Sequence, residues 1–422
     1  MLEVKGFRGL RFDPAKVGSL DAVITPPYDV ITPEQRQDLA ARSPYSMVHL
    51  ILPEARGGLN CYEAAARSFA DWQSLRVLEQ DDADSLYILE QSFSDADGVM
   101  RRRRAFLATA RIPEPGDTTI LGHEQTFLRI VEDRLLLTQA TRANLGPVFT
   151  LYADPNNALE GFLRPSERRP PDLIADTIDG VTQKLWRVRQ SAAVTSFMRD
   201  KRLYIADGHH RYRTACAYRD LMRERSSNSR PTASRLPHYE YVLLGFVSLS
   251  DPGLTICPTH RITSMPRGLD AERFLADLRR WFDVTPTDDH VIESLNATPG
   301  CAFAAVIHGA GVYLLTLKDV DRVALLGEDH GPAWRDLDVA VLHRGIIETI
   351  LGLPAETNFV YERDASTVLS AVRSGEYGMG FLLKATPPEQ IQACAEAGES
   401  MPHKSTYFFP KLPSGAVIHR LE

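Results

Sequence analysis

The stretch Arg202-Leu203-Tyr204-Ile205-Ala206-Asp207-Gly208-His209-His210-Arg211-Tyr212-Arg213-Thr214-Ala215 changes its periodicity halfway along. Residues 203–206 are a short apolar run, long enough for a buried strand and too short for a helix. From Tyr212 onward, Ala215, Cys216, Tyr218, Arg219 and Met222 recur at three- and four-residue spacings, with no Gly or Pro before Pro231. That spacing predicts a helix, so residues 207–211 form a strand-to-helix turn. Such a turn suits an anion. The first N–H groups of a helix lack intrahelical partners and sit at the positive end of its dipole, and Gly208 lets a ligand approach the backbone. Arg211 adds a planar fork of donors matched to phosphate oxygens. Asp207 can cap the helix, and His209 and His210 bring nitrogens that titrate near neutral pH. The competing reading is a capped, solvated helix start.

On the N-terminal side, residues 21–25 read as a small apolar strand stopped by Pro26-Pro27, which holds Tyr28 and Asp29 on a stiff loop. Thr32-Pro33-Glu34-Gln35 has the cap, first-turn proline and acid of a helix start. Residues 47–52 read as a strand with His49 inside it, and residues 60–78 as a helix with an aromatic core face. Residues 86–93 and 103–112 read as a hairpin. The basic run 101–104 then alternates between strand faces and is expected on a solvated arm. Gly122-His123-Glu124-Gln125-Thr126 precedes a helix from Leu128 to about Ala143. His123 beside Glu124 suits proton handling or a metal-bound water, with a polar helix start as the alternative; it is not H-E-x-x-H, so a zincin site is excluded.

On the C-terminal side, residues 223–237 are polar and Ser-rich and are expected to be mobile. His260 and Arg261 follow a short strand and Pro258; they could complete an anion pocket with Arg211 or brace a domain junction. Lys404, Ser405 and Thr406 precede the aromatic strand Tyr407-Phe408-Phe409. An apolar tail of this kind docks rather than frays, and Lys404 would then serve as a phosphate point charge or stay exposed.

With those stretches in view, the chain resembles the ParB/sulfiredoxin superfamily through its strand–Gly-His-His-Arg turn. Within it, the chain is identified as a member of the uncharacterised bacterial domain-of-unknown-function family 1015. Pro26-Pro27-Tyr28-Asp29-Val30, Pro44-Tyr45-Ser46, His123-Glu124-Gln125-Thr126, Asn144-Leu145-Gly146-Pro147, Pro258-Thr259-His260-Arg261 and residues 404–411 carry the likeness over nearly the whole length. The resemblance implies an α+β fold, a mixed sheet core over residues 1–250 elaborated by a second α+β subdomain over 251–400, with 401–422 docking back on the pocket. It further implies a nucleotide, ADP or ATP with Mg²⁺, at Tyr28, Asp29, Asp207, Gly208, His209, His210 and Arg211. Tyr28 would serve a base or sugar and Asp29 a hydroxyl or metal-bound water. Distant likeness to free-serine kinases makes serine or phosphoserine the expected small partner, bound by His260, Arg261, Lys404, Ser405 and Thr406. Catalysis would fall to Glu124, His123, His209, His210 and Arg211, in either direction of transfer. The regions around Tyr28, His123, Asp207, His260 and Lys404 are expected to line one pocket.

Composition narrows the alternatives. A chain of 422 residues exceeds a single compact core. A formal net charge of -7 offers no general attraction to nucleic acid, and no basic helix-turn-helix is visible, which weighs against the rival reading of a ParB-like, DNA-associated nucleotide switch. Five widely spaced cysteines contain no C-x-x-C pair, so neither a disulfide framework nor a zinc ribbon is expected. The turn carries histidines where a sulfiredoxin would need a thiol. No secretory signal or membrane-length run is seen, and a cytoplasmic setting is expected.

Overall fold

The computed structural model describes residues 1–96, 98–164, 169–189, 192–226, 236–265, 270–288, 290–354, 357 and 359–422. Most of the segment expected to be mobile, residues 227–235, lies outside these. The chain forms two compact units, one of Met1–Gly122, Thr126–Thr255 and Pro410–Glu422, the other of His123–Gln125 and Ile256–Phe409. Residues 401–409 thus belong with the second unit, and only the last thirteen residues return to the first.

The first unit is built on a nine-stranded mixed sheet. Its path runs Ile120–Leu121, Leu203–Asp207, Val148–Tyr152, Tyr241–Ser248, Met100–Arg111, Leu86–Ser94, Thr182–Val188 and Leu173–Asp176, with Val4–Lys5 also pairing Met100–Arg111. Leu203–Asp207 runs parallel to Ile120–Leu121 and antiparallel to Val148–Tyr152. The apolar 203–206 run is buried as its composition demands, with Leu203 and Ile205 in a core shared with Ile88, Phe106, Leu244 and Phe246. Phe106 and Phe246 stack at 4.4 Å, and full burial of side chains of this size contributes roughly 1.5–3 kcal/mol each. The predicted hairpin is present, with Ser94 opposite Met100 and Tyr87 opposite Leu107. The predicted capping box is also present, Thr32 accepting from the Gln35 N–H and Gln35 answering at the Thr32 N–H.

Three local expectations are corrected. Residues 47–52 carry the short helix Val48–Ile51 instead of a strand; a four-residue apolar run has no periodicity to tell the two apart. Residues 21–25 contain a 3₁₀ turn, Leu20–Ala22, and only one bridging residue, Thr25, opposite Ser414. In the basic run, Arg101 and Arg102 are exposed but Arg103 is fully buried. Strand alternation places Arg103 on the core side, where its guanidinium lies 4.6 Å from the Phe149 ring and donates to Gln91 and to the Pro410 carbonyl.

The second unit holds a six-stranded antiparallel sheet in the order Phe282–Thr287, Gly311–Leu317, Ala302–Ile307, Met379–Leu383, His260–Thr263, Val360–Glu362. Its core includes Ile262, Val291, Ala304, Val368, Val372 and Leu382. In the same unit, a turn of α-helix, Asp338–Ala340, runs into a π-helix, Val341–Ile350.

Candidate functional site

The turn forms as its residue types require. Register shifts between Ile205 and Asp207 against the neighbouring strand, a bulge of the kind that re-aims a side chain at a strand end. Gly208 follows with φ 87° and ψ 31°, in the left-handed region, and as the cap residue of the helix His209–Arg225 it has no side chain to offer the first N–H groups. Asp207, expected as a possible cap, instead takes two cations: Lys411 on Oδ1 and Arg211 NH2 on Oδ2, the latter at 2.5 Å. Arg211 NH1 donates to the Pro147 carbonyl, which gives the Asn144-to-Pro147 stretch a role that its sequence did not disclose.

Tyr28 and Asp29 lie in the same unit, on the 3₁₀ turn Tyr28–Val30. The guanidinium of Arg134 sits 4.5 Å from the Tyr28 ring centre, and burial with the neighbouring Asp29 pushes the Tyr28 phenol up to about 12. Burial, then the Asp207 carboxylate, raise the Asp29 carboxyl above its ordinary range, against the opposing pull of Arg211 and Lys411. Asp29 is nevertheless exposed to water, so its desolvation is partial. Among the described residues it makes no ion pair, unlike Asp207.

Behind Arg211 lies a cavity of about 70 Å³, bordered by Tyr28, Arg134, Asn144, Arg211, Thr214 and Ser414 among others. Arg211 Nε and Thr214 Oγ1 are buried there without a hydrogen-bond partner among the described residues. Unpaired buried polar atoms are costly, about 1–3 kcal/mol each, and they mark places where water or a ligand completes the structure.

His209 is buried beneath Gly122, whose Cβ position lies 3.1 Å from the imidazole Cδ2. His210 turns toward the helix Leu128–Thr141: its Nε2 accepts the Phe127 N–H at 3.0 Å and its ring stacks on Phe127 at 6.0 Å.

The remaining predicted residues belong to the second unit. His123 is fully buried with Nε2 3.3 Å from Thr406 Oγ1, and its carbonyl accepts from Met401 N–H. Glu124 is half-buried and acts electrostatically on His403. His260 Nδ1 accepts from the Leu383 N–H, and burial reinforced by Arg261 pushes the imidazole down to about 4. Arg261 is buried with its donors on His343 Nε2 at 3.1 Å and on the carbonyls of Thr259, His403 and Lys404; it braces the backbone that carries Lys404. Ser405 and Thr406 are buried, whereas Lys404 is exposed at φ 55°. Sequence reasoning did not single out Arg103, Arg134, Asn144, Thr214 or Lys411. Lys411 and Asn144 stood inside stretches that carried the family likeness, which was the available signal; Thr214 and Arg134 lie on helices whose faces only packing reveals.

A family profile described as "Protein of unknown function (DUF1015)" matches residues 4–340. The chain belongs to the DUF1015 family. No curated protein sequence matches this DUF1015 chain. Among solved structures it is similar to a conserved hypothetical protein from Pyrococcus furiosus, at 13% identity over 70% of this chain and 90% of the other with a TM-score of 0.32. It is also similar to a free serine kinase in complex with AMP, at 13% identity over 69% and 83% with a TM-score of 0.32, and to SbnI with C-terminal truncation from Staphylococcus aureus, at 13% identity over 74% and 88% with a TM-score of 0.35. Scores of this size carry no argument about this chain, whose reading rests on its own residues. Among the described residues, no helix is long and apolar enough to cross a membrane.

Proposed function

We propose that the cleft around Asp207 binds the phosphates of a nucleotide, ADP or ATP, and supports phosphoryl transfer to or from a small hydroxyl metabolite, serine or phosphoserine. The observation that carries this reading is the start of the His209–Arg225 helix at Gly208, which has no side chain to cap it, with the Arg211 guanidinium packed over that glycine. Helix-start N–H groups and a guanidinium fork are the donors that phosphate oxygens need, and phosphoryl transfer depends mainly on positioning and neutralising those oxygens.

In this reading Arg211 and the first-turn N–H groups hold the phosphate, and Lys411 offsets the charge of Asp207 beside it. Tyr28 beneath Arg134 faces the base or sugar. The bond from the acceptor hydroxyl oxygen to phosphorus forms as the bond to the nucleotide oxygen breaks, and the hydroxyl proton passes to Asp29, whose raised carboxyl range makes it a better base near neutrality than an ordinary aspartate. The reverse direction uses the same groups. Mg²⁺ typically takes one or two carboxylates together with substrate phosphates, and Asp29 fits that donor set. Bound there, the ion would neutralise phosphate oxygens. No group of three His, Cys, Asp or Glu suited to a metal stands together among the described residues. His123 and Glu124, expected to handle the proton, carry no step in this scheme. A ParB/sulfiredoxin-like core and the cytoplasmic setting belong to the same proposal.

The test is a thermal-shift panel of AMP, ADP and ATP with and without serine and phosphoserine, since a ligand that binds only the native state raises its melting point. It is followed by ³¹P NMR for the transferred group. Nucleotide binding with no transfer in either direction would leave a ParB-like nucleotide switch in place of an enzyme.

A further inference from the structure

We infer that the cavity behind Arg211 seats the small partner, an amino-acid-sized compound bearing a carboxylate, while nucleotide phosphates stay at the helix start, and that Thr214 is the residue that selects the small partner. This rests on the phosphoryl-transfer reading above and divides its two substrates between two places.

Size comes first. The cavity measures about 70 Å³, room for several waters at roughly 10–15 Å³ of probe volume each, and so for a ligand of a few non-hydrogen atoms. Serine has seven such atoms; a nucleoside diphosphate belongs in pockets of about 300–1,000 Å³.

The lining supplies the chemistry. Arg211 Nε and Thr214 Oγ1 are buried donors without a partner among the described residues. Asn144 Oδ1 accepts the Leu243 N–H at 3.0 Å, which fixes the amide orientation and makes Nδ2 a further donor. Ser414 adds a hydroxyl at the rim. No carboxylate lines the cavity among the described residues. A small chamber rich in donors, lined by Arg134 and Arg211 and by no acid among the described residues, matches a carboxylate, and the apolar walls of Leu137 and Val242 keep it small.

Thr214 stands apart from its neighbours. On the facing helix Leu128–Thr141, Thr138 and Thr141 return their hydroxyls to carbonyls four residues back, each at 2.9 Å. Buried threonines in helices commonly make that bond. Thr214 does not, although it is only 4% exposed. It lies three residues after Arg211, on the same helix face, and both residues line the one cavity.

The experiment measures binding of L-serine, O-phospho-L-serine and ADP to the full chain by isothermal titration, for the wild type, Thr214→Val and Thr214→Ser. Thr214→Val keeps the shape and removes the hydroxyl; it is expected to weaken serine and phosphoserine by about 5- to 10-fold and to leave ADP within about 2-fold. Thr214→Ser is expected to stay near wild type for all three. Hydrogen exchange of the wild type gives a readout independent of variants: serine should slow exchange over residues 211–215 and 141–146, ADP over 207–211. Unchanged serine affinity in Thr214→Val, an equal loss for ADP, or protection of the first region by ADP alone overturns the inference. A wild type that binds ADP but neither serine nor phosphoserine means that the cavity holds water only; this sinks the inference and leaves the nucleotide site standing. Serine binding sensitive to Thr214 without any nucleotide binding does the reverse.

Discussion

Replacing Gly208 with alanine tests the turn most directly, because two separate features of the backbone forbid a side chain there. Gly208 sits at φ 87°, and a left-handed conformation costs an L-residue about 1–2 kcal/mol. A Cβ would also lie 2.9 Å from Cζ, Nε and NH2 of Arg211. The far end of an arginine ordinarily moves aside at little cost. Here it is held by Asp207 Oδ2 at 2.5 Å and by the Pro147 carbonyl, so withdrawal gives up a charge-assisted bond at about 1.5–3 kcal/mol. The two effects together come to roughly 2.5–5 kcal/mol, against a total stability on the order of 5–15 kcal/mol for a domain. With a urea dependence of about 3 kcal/mol per molar, the midpoint followed by circular dichroism should fall by about 1 M. Exchange should rise most over the His209–Arg225 helix, and ADP affinity should drop about 10-fold or more as Arg211 leaves its seat. A Gly208→Ala protein with wild-type midpoint and wild-type ADP affinity would refute both the seat assigned to Arg211 and its role in binding phosphate.

Other outcomes follow from the same geometry. Arg211→Ala should remain folded, because Lys411 still pairs with Asp207, yet lose about 10²-fold or more in turnover; undiminished transfer in a steady-state assay would remove Arg211 from the reaction. Asp29→Asn should abolish transfer and raise the melting point at neutral pH. The raised carboxyl of Asp29 means that the folded state holds its proton longer than the unfolded one, so its contribution to stability is present below about pH 4 and is lost as the pH climbs through the raised value. A melting curve of Asp29→Asn that keeps the wild-type pH slope in that window counts against the Asp29–Asp207 repulsion. In the second unit, burial pushes His260 down to about 4 and His343 to about 3. The unfolded chain therefore takes up more protons below about 6.5, and stability should fall as the pH drops from there toward 4. Urea midpoints measured at pH 7 and pH 4.5 check this, and equal values would contradict it.

Some features were legible in the sequence because their causes are local. The strand, glycine and helix of residues 203–225 each declare themselves through spacing and residue type, as do the Thr32 capping box and the Ser94/Met100 hairpin. Where two structures share one local pattern, the reading failed: the apolar 48–51 segment satisfies a buried strand as well as a single helical turn. Site residues fared unevenly for the same reason. Tyr28, Asp29, Asp207 and Arg211 stand on turns marked by proline or glycine, and the fold brings them together. Arg134 and Thr214 sit inside ordinary helical spacing, and only the packing of those helices shows which face they present to the cavity.

The lysine beside the site makes the limit concrete. Lys404 and Lys411 flank the same aromatic strand, Tyr407–Phe409, and nothing in their immediate neighbours separates them. The deciding contacts come from more than 200 residues away. Arg103 donates to the Pro410 carbonyl and Gln91 Nε2 to the Lys411 carbonyl at 3.0 Å; with the tail backbone pinned at both residues, the Lys411 side chain runs to Asp207 and is only 8% exposed. The buried arginine taken for a surface charge and the lysine left without a role are thus two halves of one device. A buried ion pair contributes little net stability, because desolvation offsets the attraction, but removing one partner is expensive. What this pair does contribute is an assignment of donors. With Lys411 on Oδ1, the Asp207 carboxylate needs only one nitrogen from Arg211 and receives NH2; NH1 goes to Pro147, and Nε is left buried without a partner among the described residues. Without Lys411, Asp207 would have an oxygen to offer Nε, and the fork would close on its own helix as an ordinary salt bridge. By that argument the docked tail keeps Arg211 open to a ligand.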